Sequence, residues 1–238
     1  GTATFGNGTG ATASFNNPFA VAVDRDGNVY VADSNNFRIR KITPLGVVST
    51  LAGSGTGTVT DGVGTSASFG SPQGVTVDRE GVVYVADYAG HRIRRISTVG
   101  VVTTIAGSTQ GSANGTGTSA QFNFPRGITV DTAGNLYVAD ESNHRIRKIT
   151  PAGVVTTLAG TTQGFQDGIG TDARFNFPVG MSVDSVGNVY VGDRTNNRIR
   201  KIGTAVAQLP LNRGVVTRLA GSGLTGSTDG TGTNARFN

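Results

Sequence analysis

The stretch PRGITVDTAGNLYVADESNHRIRKI, residues 125–149, decides the fold. Ile128 to Asp131 alternates apolar and polar residues, as a half-buried strand does. Gly134 then supplies the positive φ that a tight turn requires. A second strand follows around Tyr137 and ends at Asp140. Asn143, a residue type that tolerates the left-handed region, marks the next turn. Arg145 to Ile149 alternates again. Thr150-Pro151-Ala152-Gly153 places proline second in a β-turn, and a fourth strand runs on to Ala159.

The same pattern recurs along the chain. Asp24, Asp78, Asp131 and Asp184 lie 54, 53 and 53 residues apart. Asp33, Asp87, Asp140 and Asp193 keep those intervals, and so do Pro18, Pro72, Pro125 and Pro178. Four short antiparallel strands per copy, with no helical periodicity, predict an all-β propeller built from four-stranded blades. The blades are expected at 18–71, 72–124, 125–177 and 178–238, after an inter-blade loop segment at 1–17. The fourth copy carries an insertion at 203–214, read as a longer turn between its third and fourth strands.

Composition agrees with many short strands and tight turns: 37 of the 238 residues are glycine. Recurring Val, Ile, Phe and Tyr argue against disorder. No cysteine is present, which excludes disulfides and thiolate metal sites. No apolar run is long enough to span a bilayer, and no signal peptide is recognisable. The first residue is Gly rather than Met, which reads as a processed or excerpted segment. The formal charge is +5, but twelve of the twenty Lys and Arg residues fall in one repeated strand motif, such as Arg38-Ile39-Arg40-Lys41. Cations tied to the fold unit point to structural pairing, and Arg outnumbering Lys suits it.

The repeated unit Pro-x-Gly-x-x-Val-Asp-x-x-Gly-Asn-x-Tyr-Val-Ala-Asp-x-x-Asn-His-Arg-Ile-Arg-Lys-Ile resembles the bacterial form of the NHL repeat. The name-giving pair stands at Asn143-His144, and is Gly90-His91, Asn196-Asn197 and Asn36-Phe37 in the other copies. The resemblance covers nearly the whole chain. It implies a ring of five or six blades serving as a scaffold for protein, RNA or ligand binding. It also brings in wider relatives that are lactonases or a peptide-amidating lyase. Fold alone does not choose among these.

The long inter-blade loops each contain Asp/Asn-Gly-x-Gly and then Ala-x-Phe. Phe15, Phe69, Phe122, Phe175 and Phe237 are expected to plug each loop into a blade seam. The chain begins and stops at the same phase of the repeat, so the sequence leaves two expectations open. Either the segment belongs to a longer array that closes with more blades, such as six, or it self-associates end to end, two copies closing an eight-blade ring or a succession building a filament. A ring of its four blades alone is disfavoured without a disulfide clasp.

Asp33, Asp87, Asp140 and Asp193 are expected to accept charge-assisted bonds from the strand arginines that open with Arg38, Arg92, Arg145 and Arg198. Nucleic acid is disfavoured, because the turns offer only Phe37 and Tyr88 for stacking. The paired aspartates of each repeat lie nine residues apart, too far for a calcium loop. The Asp/Asn-Gly-x-Gly loops are the remaining place for a cation. His91 and His144 share one position in adjacent blades, where they would stand near each other on a rim. The lyase relatives need a histidine cluster and the lactonases need channel carboxylates, whereas this chain has two His and only Glu80 and Glu141 as glutamates. No catalytic residue, metal or cofactor is therefore expected. The binding surface is expected on the rim of second-to-third-strand turns, at Phe37, Tyr88, His91, Glu141, His144, Arg194 and Asn197. The resulting reading is a non-catalytic scaffold for a protein partner or for self-assembly, with a bacterial extracellular or cell-surface setting favoured. An RNA-binding propeller and a propeller lactonase or lyase are its alternatives.

Overall fold

The computed structural model describes residues 4–203 and 214–238. The insertion expected at 203–214 lies outside them, apart from its two end glycines. The third copy shows how the unit folds. Pro125–Val130, Leu136–Asp140, Arg145–Ile149 and Val154–Ala159 pair in sequence order as an antiparallel sheet. A further strand, Gly115–Thr116, pairs antiparallel with Val154 and Val155 at the outer edge. Every sheet is built this way, so the blades have five strands rather than the four expected. The missed strand is two residues long and half glycine, which is too short to display a period-2 pattern. It comes from the long loop ahead of its blade, so each loop completes the outer edge of the blade that follows it.

One irregularity recurs in all four sheets. Ile146 opposes Ala159 while Arg147 opposes Thr157, so one residue of the outer strand is skipped, and the other blades slip at the same place. Such a bulge bends the strand. Beyond it, Gly160 takes φ 90° with its Cα against the His144 carbonyl and the Phe175 ring. A side chain there would collide with both, so this glycine is a steric requirement.

The innermost strands, Pro18–Val23, Pro72–Val77, Pro125–Val130 and Pro178–Val183, adjoin one another in series around a common axis. Alternation along the strands then covers both faces of the middle blades. Among the described residues, three apolar clusters fill three seams. In the second seam, Ala86, Ile93 and Ala106 of the second blade meet Phe122, Ile128, Leu136, Val138, Ile149 and Val155 of the third. The first and third seams repeat that chemistry. Outer faces lack such cover. Val21 of the first blade is 64% exposed, whereas its counterpart Val75 in the second is 5% exposed.

The inner strands approach through glycine. A Cβ on Gly74 would strike the Arg126 carbonyl, and one on Gly127 would strike the Val179 carbonyl, whereas Gly180 has nothing near it. Gly127→Ala should therefore force the third and fourth blades apart and cost about 1–3 kcal/mol by overpacking. Gly180→Ala should stay within about 0.5 kcal/mol of the parent. Urea denaturation of the two variants checks this pair, and equal losses would refute it.

Candidate functional site

Each blade is organised by one buried arginine. Arg147 is fully buried, as are Arg40, Arg94 and Arg200. Its Nη1 donates to Asp140 Oδ2 at 2.8 Å and to the Gln121 carbonyl at 2.9 Å. Its Nη2 donates to the Ala113 carbonyl and to Asn114 Oδ1, both at 2.9 Å. The Phe122 ring lies under the guanidinium, 5.1 Å from its centroid. Asp140 in turn accepts the Asn123 amide N–H at 2.7 Å and the Asn143 side-chain amide at 2.9 Å. One cation thus binds the long loop, the end of the second strand and the middle of the third. Burial pushes the Asp140 carboxyl upward and the Arg147 guanidinium downward, while the attraction between them opposes both shifts.

The structure places the aspartate ion pair on the second arginine of each motif, not on the first. Asp33, Asp87, Asp140 and Asp193 meet Arg40, Arg94, Arg147 and Arg200. Arg38, Arg92, Arg145 and Arg198 instead donate to main-chain carbonyls, those of Asn36, Gly90, Thr161 and Asn196 among them. The loop position considered for a cation is also taken. Asp61 and Asp167 accept from Arg94 and Arg200, and Asn7 and Asn114 do the same for Arg40 and Arg147. Among the described residues no cluster of His, Asp and Glu could hold a metal ion. Phe69, Phe122 and Phe175 are wholly buried in the seams, while Phe237 is 37% exposed.

The rim residues divide into two sets. Phe37, His144 and Asn197 each close a 3-10 helix and His91 closes the equivalent turn, all in the left-handed region with φ of 52–55°. His91 and His144 do not converge. His91 Nδ1 accepts the amide N–H of Phe124 at 3.2 Å, and its ring meets the Phe124 ring edge-on at 4.7 Å. His144 does the same to Phe177. Each imidazole therefore fastens its own blade to the next, and burial lowers both pKa values.

Tyr88, Glu141 and Arg194 form the second set, at the first residue of their turns, and these reach the axis. Glu141, 2% exposed, holds two guanidiniums through one oxygen: Arg126 Nη1 at 3.0 Å and Arg194 Nη2 at 2.8 Å. Tyr88 packs on Phe124 at 4.7 Å. Its phenol is pushed upward by burial and then by the Glu141 charge, with Arg126 and Arg194 opposing. Arg126 also lies over the Phe19 ring at 4.4 Å. Below these groups the inner strands enclose a groove of about 320 Å³, walled by Phe19, Val21, Gln73, Val75, Ile128, Val179 and Met181 with Arg126 and Arg194. The residue after each repeat proline, namely Phe19, Gln73, Arg126 and Val179, belongs to this site, and sequence reasoning passed over it. The available signal was chemical: an aromatic ring, an amide, a cation and an aliphatic chain occupy equivalent positions, whereas the other positions of the strand keep to small or aliphatic residues.

The Phe plug, the Asp and the buried Arg all fall inside the segments that match the family model described as NHL repeat, residues 15–42, 122–149 and 175–202. The chain carries NHL repeats. Residues 55–115, between the first two of these segments, match the Teneurin NHL domain. NHL repeat-containing protein 2 from Bos taurus is 34% identical over 152 residues, covering 56% of this chain and 21% of that protein. The match covers between 8% and 31% of the length of its curated relatives, and 21% of this one. An auxiliary nutrient binding protein from Bacteroides thetaiotaomicron superposes with a TM-score of 0.69, at 17% identity, over 95% of this chain and 53% of its own. A virginiamycin B lyase from Staphylococcus aureus gives 0.58, at 17% identity, over 85% and 55%. These solved neighbours establish the propeller fold alone.

Two predictions follow from the NHL lock and its histidines. Arg147→Met leaves the Asp140 carboxylate buried without its cation and should cost about 3–5 kcal/mol. Arg145→Met removes only a bond to a carbonyl and should cost about 1 kcal/mol. Urea midpoints compare the two, and a larger loss for Arg145→Met would refute the assignment. The folded chain holds His91 and His144 neutral, while the unfolded chain takes up their protons near pH 6.5. The unfolded state therefore binds more protons below that value. Stability should be complete above about pH 6.5 and decline as the pH falls from there toward the lowered folded values. The double variant His91→Asn, His144→Asn places at both sites the residue found at position 197. It should be less stable but show a flatter midpoint between about pH 7 and 5.5.

Proposed function

We propose that the chain is a non-catalytic binding scaffold for a protein partner, engaged at the axial groove and the Tyr88, Glu141 and Arg194 turns that crown it. The observation that carries this reading is a division of labour within the repeat. The residues common to the copies, such as the Asp140–Arg147 pair and the Asp131 turn, are consumed internally. Asp131 Oδ1 accepts the Ala133 and Asn135 amides, and its Oδ2 accepts the Tyr137 hydroxyl. Several positions that differ between copies, Phe19, Gln73, Arg126 and Val179 on the inner strands and Glu141 and Arg194 on the turns, stand together at one end of the axis, on strands held rigid by the seams. Variable side chains on a rigid frame are the usual basis of selective binding. Both histidines are occupied as acceptors for main-chain amides, so neither is free to act as a base. That weighs against the lyase and lactonase alternatives.

Selection of a random dodecapeptide library on the intact chain tests the reading. Peptides should be recovered whose affinity falls at least tenfold in the double variant Phe19→Ala, Tyr88→Ala. Recovery of no peptide, or of peptides indifferent to that variant, would remove it. Turnover of a lactone or ester by the parent chain would favour the enzymatic alternative instead.

A further inference from the structure

The axial groove has an uncompensated charge, unlike the surroundings of the fully buried arginines. Each fully buried arginine has a carboxylate of its own, and Arg94 and Arg200 each have two. At the groove the ratio is inverted, because Arg126 and Arg194 share the single carboxylate of Glu141. Their side chains remain 17% and 49% exposed. One formal positive charge is thus left beside walls of Phe19, Val179 and Met181, where low polarity strengthens its attraction for an anion.

Unpartnered buried atoms point to the same place. Among the described residues these atoms are the Nε groups of several repeat arginines together with Gln73 Oε1, Arg126 Nε and Glu141 Oε2. The Nε atoms of Arg40, Arg94, Arg147 and Arg200 are common to all four blades, where a phenylalanine ring lies against each guanidinium. Those of Arg198 and Arg218 belong to guanidiniums that pack against the Phe165 ring. The Arg126 Nε likewise belongs to a guanidinium over a ring, that of Phe19, which leaves Gln73 Oε1, on the groove wall, and Glu141 Oε2, on the carboxylate bound to Arg126 beside it. Buried polar groups without partners are uncommon, and each calls for an explanation. Gln73 Oε1 and Glu141 Oε2 are both acceptors, which call for N–H donors from a ligand, while the Arg126 and Arg194 guanidiniums beside them call for an anion.

We propose that the groove binds an extended acidic peptide segment, with Arg126 and Arg194 taking a glutamate or aspartate carboxylate and Gln73 and Glu141 accepting N–H groups of the same segment. A ligand here must offer both an anion and N–H donors, and a peptide supplies both. Phe19 and Val179 then receive an apolar side chain flanking the acid. This assignment rests on the reading of the chain as a protein-binding scaffold and gives that partner its chemistry.

The test sequences the peptides recovered by library selection and measures individual synthetic peptides by fluorescence anisotropy. An acidic residue should recur at a fixed position. Its replacement by the matching amide should weaken binding at least about tenfold, as loss of a charge-assisted pair does. In the Arg126→Gln and Arg194→Gln chains the acidic and amide peptides should bind alike. Arg194 is half exposed, so unchanged melting of Arg194→Gln separates recognition from folding. Peptides that bind through the groove with a less than twofold acid-to-amide difference would overturn the proposal and leave the scaffold reading intact. An acid preference retained in both arginine variants would do the same. Displacement of the peptide by a single-stranded RNA that binds more tightly, and loses its affinity in Arg126→Gln, would overturn it in favour of nucleic acid. Recovery of no peptide would overturn both readings.

Discussion

A guanidinium withdrawn from water must find acceptors for its N–H groups, and that demand shapes every blade. Arg147 meets it at both Nη atoms with a carboxylate from its own sheet and with two carbonyls and a side-chain amide oxygen from the loop ahead of the blade, while a phenylalanine ring lies beneath the guanidinium. The loop that satisfies the arginine is thereby bound to the sheet. Once bound, it adds the edge strand Gly115–Thr116 and delivers Phe122 into the seam. Burying an ion pair is costly unless its hydrogen bonds are complete. That condition explains why the loop keeps an amide or carboxylate at positions 7, 61, 114 and 167.

The seams follow from the same lock. With the phenylalanine held in place, each blade offers Val, Ile and Phe to the Ala, Ile and Tyr of its neighbour, and the pleat leaves both faces of a middle blade covered. Glycines at 74 and 127 then allow the inner strands to approach at main-chain distance. The axial groove is the space between those strands. Its walls are rigid because seam packing determines them, and its lining is free to vary because the lock does not use it. The charge excess at Arg126 and Arg194 is tolerated there because both side chains still reach water.

Much of this was legible in the sequence, for reasons specific to each feature. The four-fold spacing of Asp131 and Asp140 revealed the repeat, since a turn cap and an ion-pair acceptor recur only when the unit recurs. Phe122 and its counterparts stood out because large aromatic residues in polar loops need a place to be buried. Which arginine of the motif pairs with Asp140 was not legible. Arg145 lies directly opposite it in the ladder, but a side chain as long as arginine reaches along the sheet, so Arg147 makes the ion pair. Alternation alone does not specify that choice. Phe19, Gln73 and Arg126 went unnoticed because a strand position that varies in chemistry resembles drift until its neighbours around the axis are known.

Sequence by itself therefore determined the repeat, the strands, the turns and the residues that must be buried, because those depend on local periodicity and on the residue types that a turn or a core accepts. Tertiary structure decided which arginine enters the interior, that the loops add a fifth strand, that His91 and His144 stay apart, and that Arg126, Glu141 and Arg194 meet at one end of the axis. Each of these depends on distances between residues of different blades or across a bulged ladder. Such distances are set by how the sheets twist and pack, not by separation along the chain.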